Sequence, residues 1–88
     1  MANKVTGTFS ATGQSSEIGM VKGSVITMHF DGTATVDVEL KDNASNWIVV
    51  ETVTADYAKV WDAPDGTVRL NCTAHTNDVD YTLGKRPF

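Results

Sequence analysis

The chain is predicted to be all-β, an antiparallel two-sheet sandwich of jelly-roll or immunoglobulin-like type with about seven to eight strands. Three observations predict this. Apolar and polar residues alternate with period two over long runs, the signature of strands with one buried and one wet face. No run of comparable length carries the 3.6-residue period of an amphipathic helix. Clusters of Asp, Asn, Gly, Pro and Ser punctuate the runs at the spacing of short antiparallel strands.

The first quarter, Val5–Ser10 and Glu17–Val21, is dotted with Gly7, Gly13, Gly19 and Gly23 and is the least regular part. Residues 1–20 read as an arm or as edge strands. Ser24–Phe30 follows, and then Asp31-Gly32, the strongest short hairpin signal, because a type I′ turn wants positive φ at both central residues. In Thr33–Lys41, Ala34, Val36, Val38 and Leu40 share one face while Thr35, Asp37 and Glu39 take the other. Asp42-Asn43-Ala44-Ser45-Asn46 is a polar loop before Trp47–Thr54 and Tyr57–Trp61. Pro64-Asp65-Gly66 sets a further turn. Thr67–His75 alternates Val68, Leu70, Cys72 and Ala74 with polar residues, Thr76-Asn77-Asp78 closes a last hairpin, and Val79–Leu83 ends the fold.

One segment departs from alternation. Trp47, Val49 and Val53 fall on one face of their strand, Ile48 and Val50 on the other, so both faces are apolar. Such a strand is either central in the core or covered by another subunit. The next strand, with Tyr57 and Trp61, has the same ambiguity. Trp47, Ile48, Val49, Val50, Tyr57 and Trp61 are therefore the candidate subunit interface.

Composition narrows the function classes. With 88 residues the chain makes one domain, 1–88, and 41% hydrophobic with 20% charged residues is an ordinary globular mixture. A core this small commonly gains stability from disulfides, metals or partner subunits. Cys72 is the lone cysteine, which excludes an internal disulfide and points to assembly in a reducing cytoplasm. Met1-Ala2-Asn3-Lys4 is followed by no apolar run of signal-peptide type, and no stretch is long enough to span a bilayer as a helix. The net charge of −4 and the scatter of the seven basic residues argue against nucleic acid. Lys85-Arg86 reads as a solvated tail.

No catalytic, cofactor or metal constellation emerges. His29 and His75 sit at polar positions without a zinc-ligand spacing. No nucleophile motif is present, and Cys72 lies between Leu70 and Ala74 on an apolar face. Asp37 and Glu39 read as solvation of a wet face rather than a glycosidase pair. Asp42, Asn43, Asn77, Asp78 and Asp80 are oxygen donors of the calcium type, but turns use the same residues for backbone hydrogen bonds. Among the aromatic rings, Tyr81 is expected in the core and Trp47 as a plug at the sandwich end. Trp61 is the best candidate for an exposed sugar-stacking platform.

The order of pieces is itself a signature. Gly19-Met20-Val21-Lys22-Gly23 leads into an apolar strand and Asp31-Gly32, and Thr33-Ala34-Thr35-Val36-Asp37-Val38-Glu39-Leu40, Asp42 and Trp47 follow. Pro64-Asp65-Gly66, Val68-Arg69-Leu70-Asn71-Cys72-Thr73-Ala74 and Val79-Asp80-Tyr81-Thr82-Leu83-Gly84 complete it. From about Gly7 to Gly84 this resembles small tailed-phage virion proteins, the capsid decoration (cement) proteins and head- or tail-fibre modules. Where that family often has Asp-Gly-Gly before Thr-Trp, this chain has Asp42-Asn43-Ala44-Ser45-Asn46-Trp47. The resemblance implies a homotrimer on the capsid surface or in a fibre, with no active site. Its leading implication is a decoration protein that binds the major capsid protein. The alternative is a fibre module that binds a host-surface glycan.

Overall fold

The computed structural model describes residues 4–85. The Met1-Ala2-Asn3 start and Arg86 of the terminal basic pair lie outside the described residues. The strands are β1 Lys4–Phe9, β2 Gly13–Gln14, β3 Ile18–Met20, β4 Val25–Phe30, β5 Ala34–Lys41, β6 Trp47–Val53, β7 Tyr57–Val60, β8 Gly66–His75 and β9 Val79–Gly84. They form two antiparallel sheets, one in the order β1-β9-β4-β7 and the other β2-β8-β5-β6, with β3 also paired to β8. The fold is the expected two-sheet sandwich.

The pairing is nested. β5 pairs β6, β4 pairs β7, β2 and β3 pair β8, and β1 pairs β9. A long hairpin rolled up on itself gives this pattern, which is the jelly roll among the two topologies the sequence allowed. β2 and β3 act as one interrupted strand. Ser15 bridges the break: its N–H donates to Leu70 O at 2.8 Å, and its Oγ accepts the Leu70 N–H at 2.9 Å. The glycine-dotted first quarter is thus a set of edge strands rather than an arm, since all six residues of β1 are paired with β9.

Apart from the break between β2 and β3, which both pair β8, only the loop between β5 and β6 stays within one sheet; the other connections among the described residues cross the sandwich. The turn at Asp31-Gly32 is therefore no hairpin, and neither residue has a positive φ. It carries the chain from β4 in one sheet to β5 in the other, where a type I′ geometry has no paired strands to serve. Gly32 is needed for room instead: the Asn77 side chain stands where a Cβ would be, and its Oδ1 accepts the Thr33 N–H at 2.9 Å. Residues 76–78 and 64–66 likewise cross between sheets. In the one true hairpin, Asp42 Oδ1 accepts the N–H groups of Ala44 and Asn46, both at 2.8 Å, and Ser45 takes φ 66°. The Asn46 N–H first of all holds the Asp42 carboxyl below its ordinary range.

The core is built from the alternating runs. Met20, Ile26, Met28, Val36, Val38, Val68, Leu70, Cys72, Val79 and Leu83 are almost entirely buried between the sheets, with Phe9, Phe30, Val53 and Trp61 around them. Two bulges upset the parity read from sequence. Thr35 pairs with Ala74 but Val36 with Cys72, so Thr73 is extra and Ala74 turns out to solvent. Val38 pairs with Glu51 but Glu39 with Val49, so Val50 is extra in β6.

A candidate interaction surface

β6 is the last strand of one sheet and β7 the last of the other. Three residues, 54–56, connect them, so both free edges lie along one flank of the sandwich. The bulge at Val50 decides what this flank displays. Directly paired residues share a face. Trp47 and Val49, paired with Lys41 and Glu39, therefore belong to the outer face, and Ile48, Glu51 and Val53, paired with Leu40, Val38 and Val36, to the inner one. The simple alternation of the sequence put Trp47, Val49 and Val53 together; the extra residue divides them. Since β6 has no neighbour beyond it, only Val53 is fully buried, with Trp47 and Glu51 half-buried.

Ile48, Val49, Val50 and Val60 keep between 42% and 56% of their surface exposed, as does Val25 at 42%. Val25 pairs with Val60 across β4 and β7, and Val50 and Val60 line one cleft. Of the large apolar side chains exposed among the described residues, four lie on the two edge strands β6 and β7, and the fifth, Val25, lies beside them on β4. Single exposed apolar residues are ordinary, whereas a contiguous set on an edge strand marks a contact surface. The cleft between the two edges has a volume of about 20 Å³, a water site rather than a ligand pocket. On its rim Tyr57 Oη donates to Glu51 Oε1 at 2.9 Å, and Lys59 Nζ lies 3.4 Å from the same oxygen. Burial, followed by the Glu51 carboxylate, pushes the Tyr57 hydroxyl well above its usual range.

The other sequence candidates divide. Trp61 is 5% exposed, and its Nε1–H donates to Pro64 O at 3.1 Å. It belongs to the core and forms the floor of the cleft, so it offers no exposed platform. Trp47 does not plug the sandwich end. It lies half-buried on the outer sheet face, with the Arg69 guanidinium 4.1 Å from the ring centroid and Lys41 Nζ 5.6 Å away. Arg69 Nε also donates to Glu39 at 2.7 Å, and Asn71 Nδ2 donates to its second oxygen at 3.2 Å. A carboxylate only 6% exposed is thereby paired rather than stranded. Tyr81, half-buried, packs its ring 4.7 Å from that of Phe9.

Val25 and Val60 were not among the sequence candidates. The signal for Val25 was present, since Ile26, Met28 and Phe30 claim the buried face of its strand and leave Val25, Thr27 and His29 outside. Outside the flank, the Asp56 carboxylate serves a crossing between sheets. Asp56 Oδ1 accepts the Phe30 N–H at 2.8 Å, and His29 lies 3.3 Å from both Asp56 and Asp31. Cys72 is buried, which raises its thiol. No group of three or more His, Cys, Asp or Glu among the described residues is placed to hold a metal ion.

No family model, no curated protein and no solved structure matches this chain.

Proposed function

We propose that this chain is a structural part of a tailed-phage virion, a capsid decoration protein that binds the outside of the major capsid shell and stabilises it. It is made and assembled in the host cytoplasm and associates with itself, the resemblance giving three copies. One observation carries the reading: a small jelly-roll sandwich gathers its exposed large apolar residues on a single flank. Jelly rolls serve as viral capsid domains and also as lectins and cupins, so the fold contributes only an analogy.

The magnitudes suit a protein that attaches many times over. Covering one half-exposed valine or isoleucine is worth on the order of 1 kcal/mol. Five such residues give about 5 kcal/mol, against an association cost of roughly 4–15 kcal/mol. Isolated contacts through this flank are therefore weak. On a symmetric shell, weak contacts repeated at every site add up through avidity. The glycan-binding alternative loses the ring it relied on, because Trp61 is in the core.

The test is to delete the coding sequence from the genome that carries it and purify the particles. Intact particles should contain the chain in near-stoichiometric amount with the major capsid protein, and deleted particles should release their contents at lower temperature. A chain absent from purified particles would overturn the reading.

A further inference from the structure

We propose that His29 is a pH-operated clasp, whose protonation ties the β4–β5 crossing, through Asp31, to the β6–β7 connection, through Asp56. This goes beyond the function above and does not depend on it.

The geometry asks for the charged ring. His29 lies on the exposed outer face of β4, with Nε2 3.3 Å from Asp31 Oδ1 and Nδ1 3.3 Å from Asp56 Oδ2. A carboxylate only accepts hydrogen bonds, and a neutral imidazole carries a single N–H. With the ring neutral, one of the two contacts therefore sets a nitrogen lone pair against a carboxylate oxygen. Only the imidazolium, with two N–H groups, donates to both.

The surroundings carry one sign. Asp80 stands directly opposite His29 on β9, where its Oδ1 accepts the Thr8 hydroxyl at 2.8 Å. Asp56 precedes Tyr57, the partner of Met28, and so comes next in that register, beside His29. Asp31 follows in the turn. The charged side chains that face the ring from β9, from the connection into β7 and from its own turn are thus all carboxylates. Lys59 on β7 pairs with the buried Ile26 and belongs to the other face. Three carboxylates around a neutral ring repel one another, and a proton on the ring relieves them. Asp56 stays ionised near neutrality, because the Phe30 N–H above all, and His29 after it, hold its carboxyl below the ordinary range.

Both tied segments are anchored elsewhere. Asp56 Oδ1 accepts the Phe30 N–H at 2.8 Å, and the Asp31 N–H donates to Asp78 O at 2.9 Å. Residues 54–56 join the two edge strands β6 and β7, so the clasp sets how firmly one end of that flank is held. A ring that gains carboxylate partners on folding adds stability that is fully present below the ordinary imidazole value of about 6.5. That stability is lost as pH rises above it. The contacts are exposed, so the gain is modest.

The experiment is thermal melting of the full chain at about pH 8 and about pH 5.5, the parent against His29→Gln. Both values lie above the carboxylate range. The parent should gain a few degrees in Tm over the variant on moving to the lower pH. In a background of Asp31→Asn with Asp56→Asn, which keeps an acceptor for the Phe30 N–H, the same comparison should show no gain. Circular dichroism identical to the parent establishes that each variant is folded. A gap between parent and His29→Gln that is equal at both pH values, or that narrows in acid, would overturn the clasp. A gain that survives in the asparagine background would overturn it too, since Asp80 or the net charge of −4 would then be its source. The particle-composition test is independent of all of these outcomes.

Discussion

Leu70 and Val49 are both aliphatic strand residues, yet Leu70 is 0% exposed and Val49 is 50% exposed. Leu70→Ala leaves a cavity between packed sheets and is expected to cost about 2–5 kcal/mol. Val49→Ala removes methyl groups that face water and should change stability by less than about 0.5 kcal/mol. Urea unfolding at low protein concentration measures both. Residue-scale reading of the sequence succeeded where one neighbour decides the environment: Cys72 between Leu70 and Ala74 was legible as core. It failed for Trp61, because a donor bond to a carbonyl three residues away, Pro64 O, settles an indole in the interior and leaves no trace in the pattern. It failed for Ala74 as well, since the extra Thr73 turns that residue outward.

At the scale of elements, residue pattern and turn signals together revealed eight of the nine strands found among the described residues, and missed the two-residue β2. Connections were less legible, because Asp-Gly serves a hairpin and a crossing turn equally well. Which of the two is made depends on distant pairing, here β4 with β7 and β9. Backbone bonds such as that from Asp31 N–H to Asp78 O hold the crossings together with side chains, and Asp56 shows how a side chain does so. Its carboxylate accepts the Phe30 N–H and lies beside His29, which lowers its pKa, the backbone bond contributing most. A carboxyl lowered in the folded state adds stability that is fully present above its unfolded value of about 3.9. That stability is lost as pH falls through the lower folded value. Asp56→Asn keeps an acceptor oxygen but no charge. The parent should therefore be the more stable at neutral pH, and the two should converge in acid. Thermal melts from neutral pH to below the carboxylate range check this; a gap that stayed constant with pH would contradict it.

Across the whole molecule, nested pairing makes the two ends of the chain interdependent. Lys4 pairs with Gly84 and Phe9 with Val79, so β1 covers the edge of β9. Deleting residues 1–9 removes that cover together with the buried Phe9, and is expected to abolish cooperative thermal unfolding by circular dichroism. An arm would be lost without such an effect. The candidate surface was half legible at this scale. The two-faced apolar run Ile48-Val49-Val50 was plain in the sequence, but whether it was central or at an edge depended on strand order. Strand order makes it an edge, and the bulge at Val50 sets which side chains it shows. The central claim is that the chain associates with itself through this flank. Amide hydrogen exchange of the purified chain, at low and at high protein concentration, tests it most directly. Exchange across Ile48–Val53 and Tyr57–Val60 is expected to slow as concentration rises, while Gly13–Met20 on the opposite flank is unchanged. Exchange on the β6–β7 flank that is the same at every concentration would contradict it.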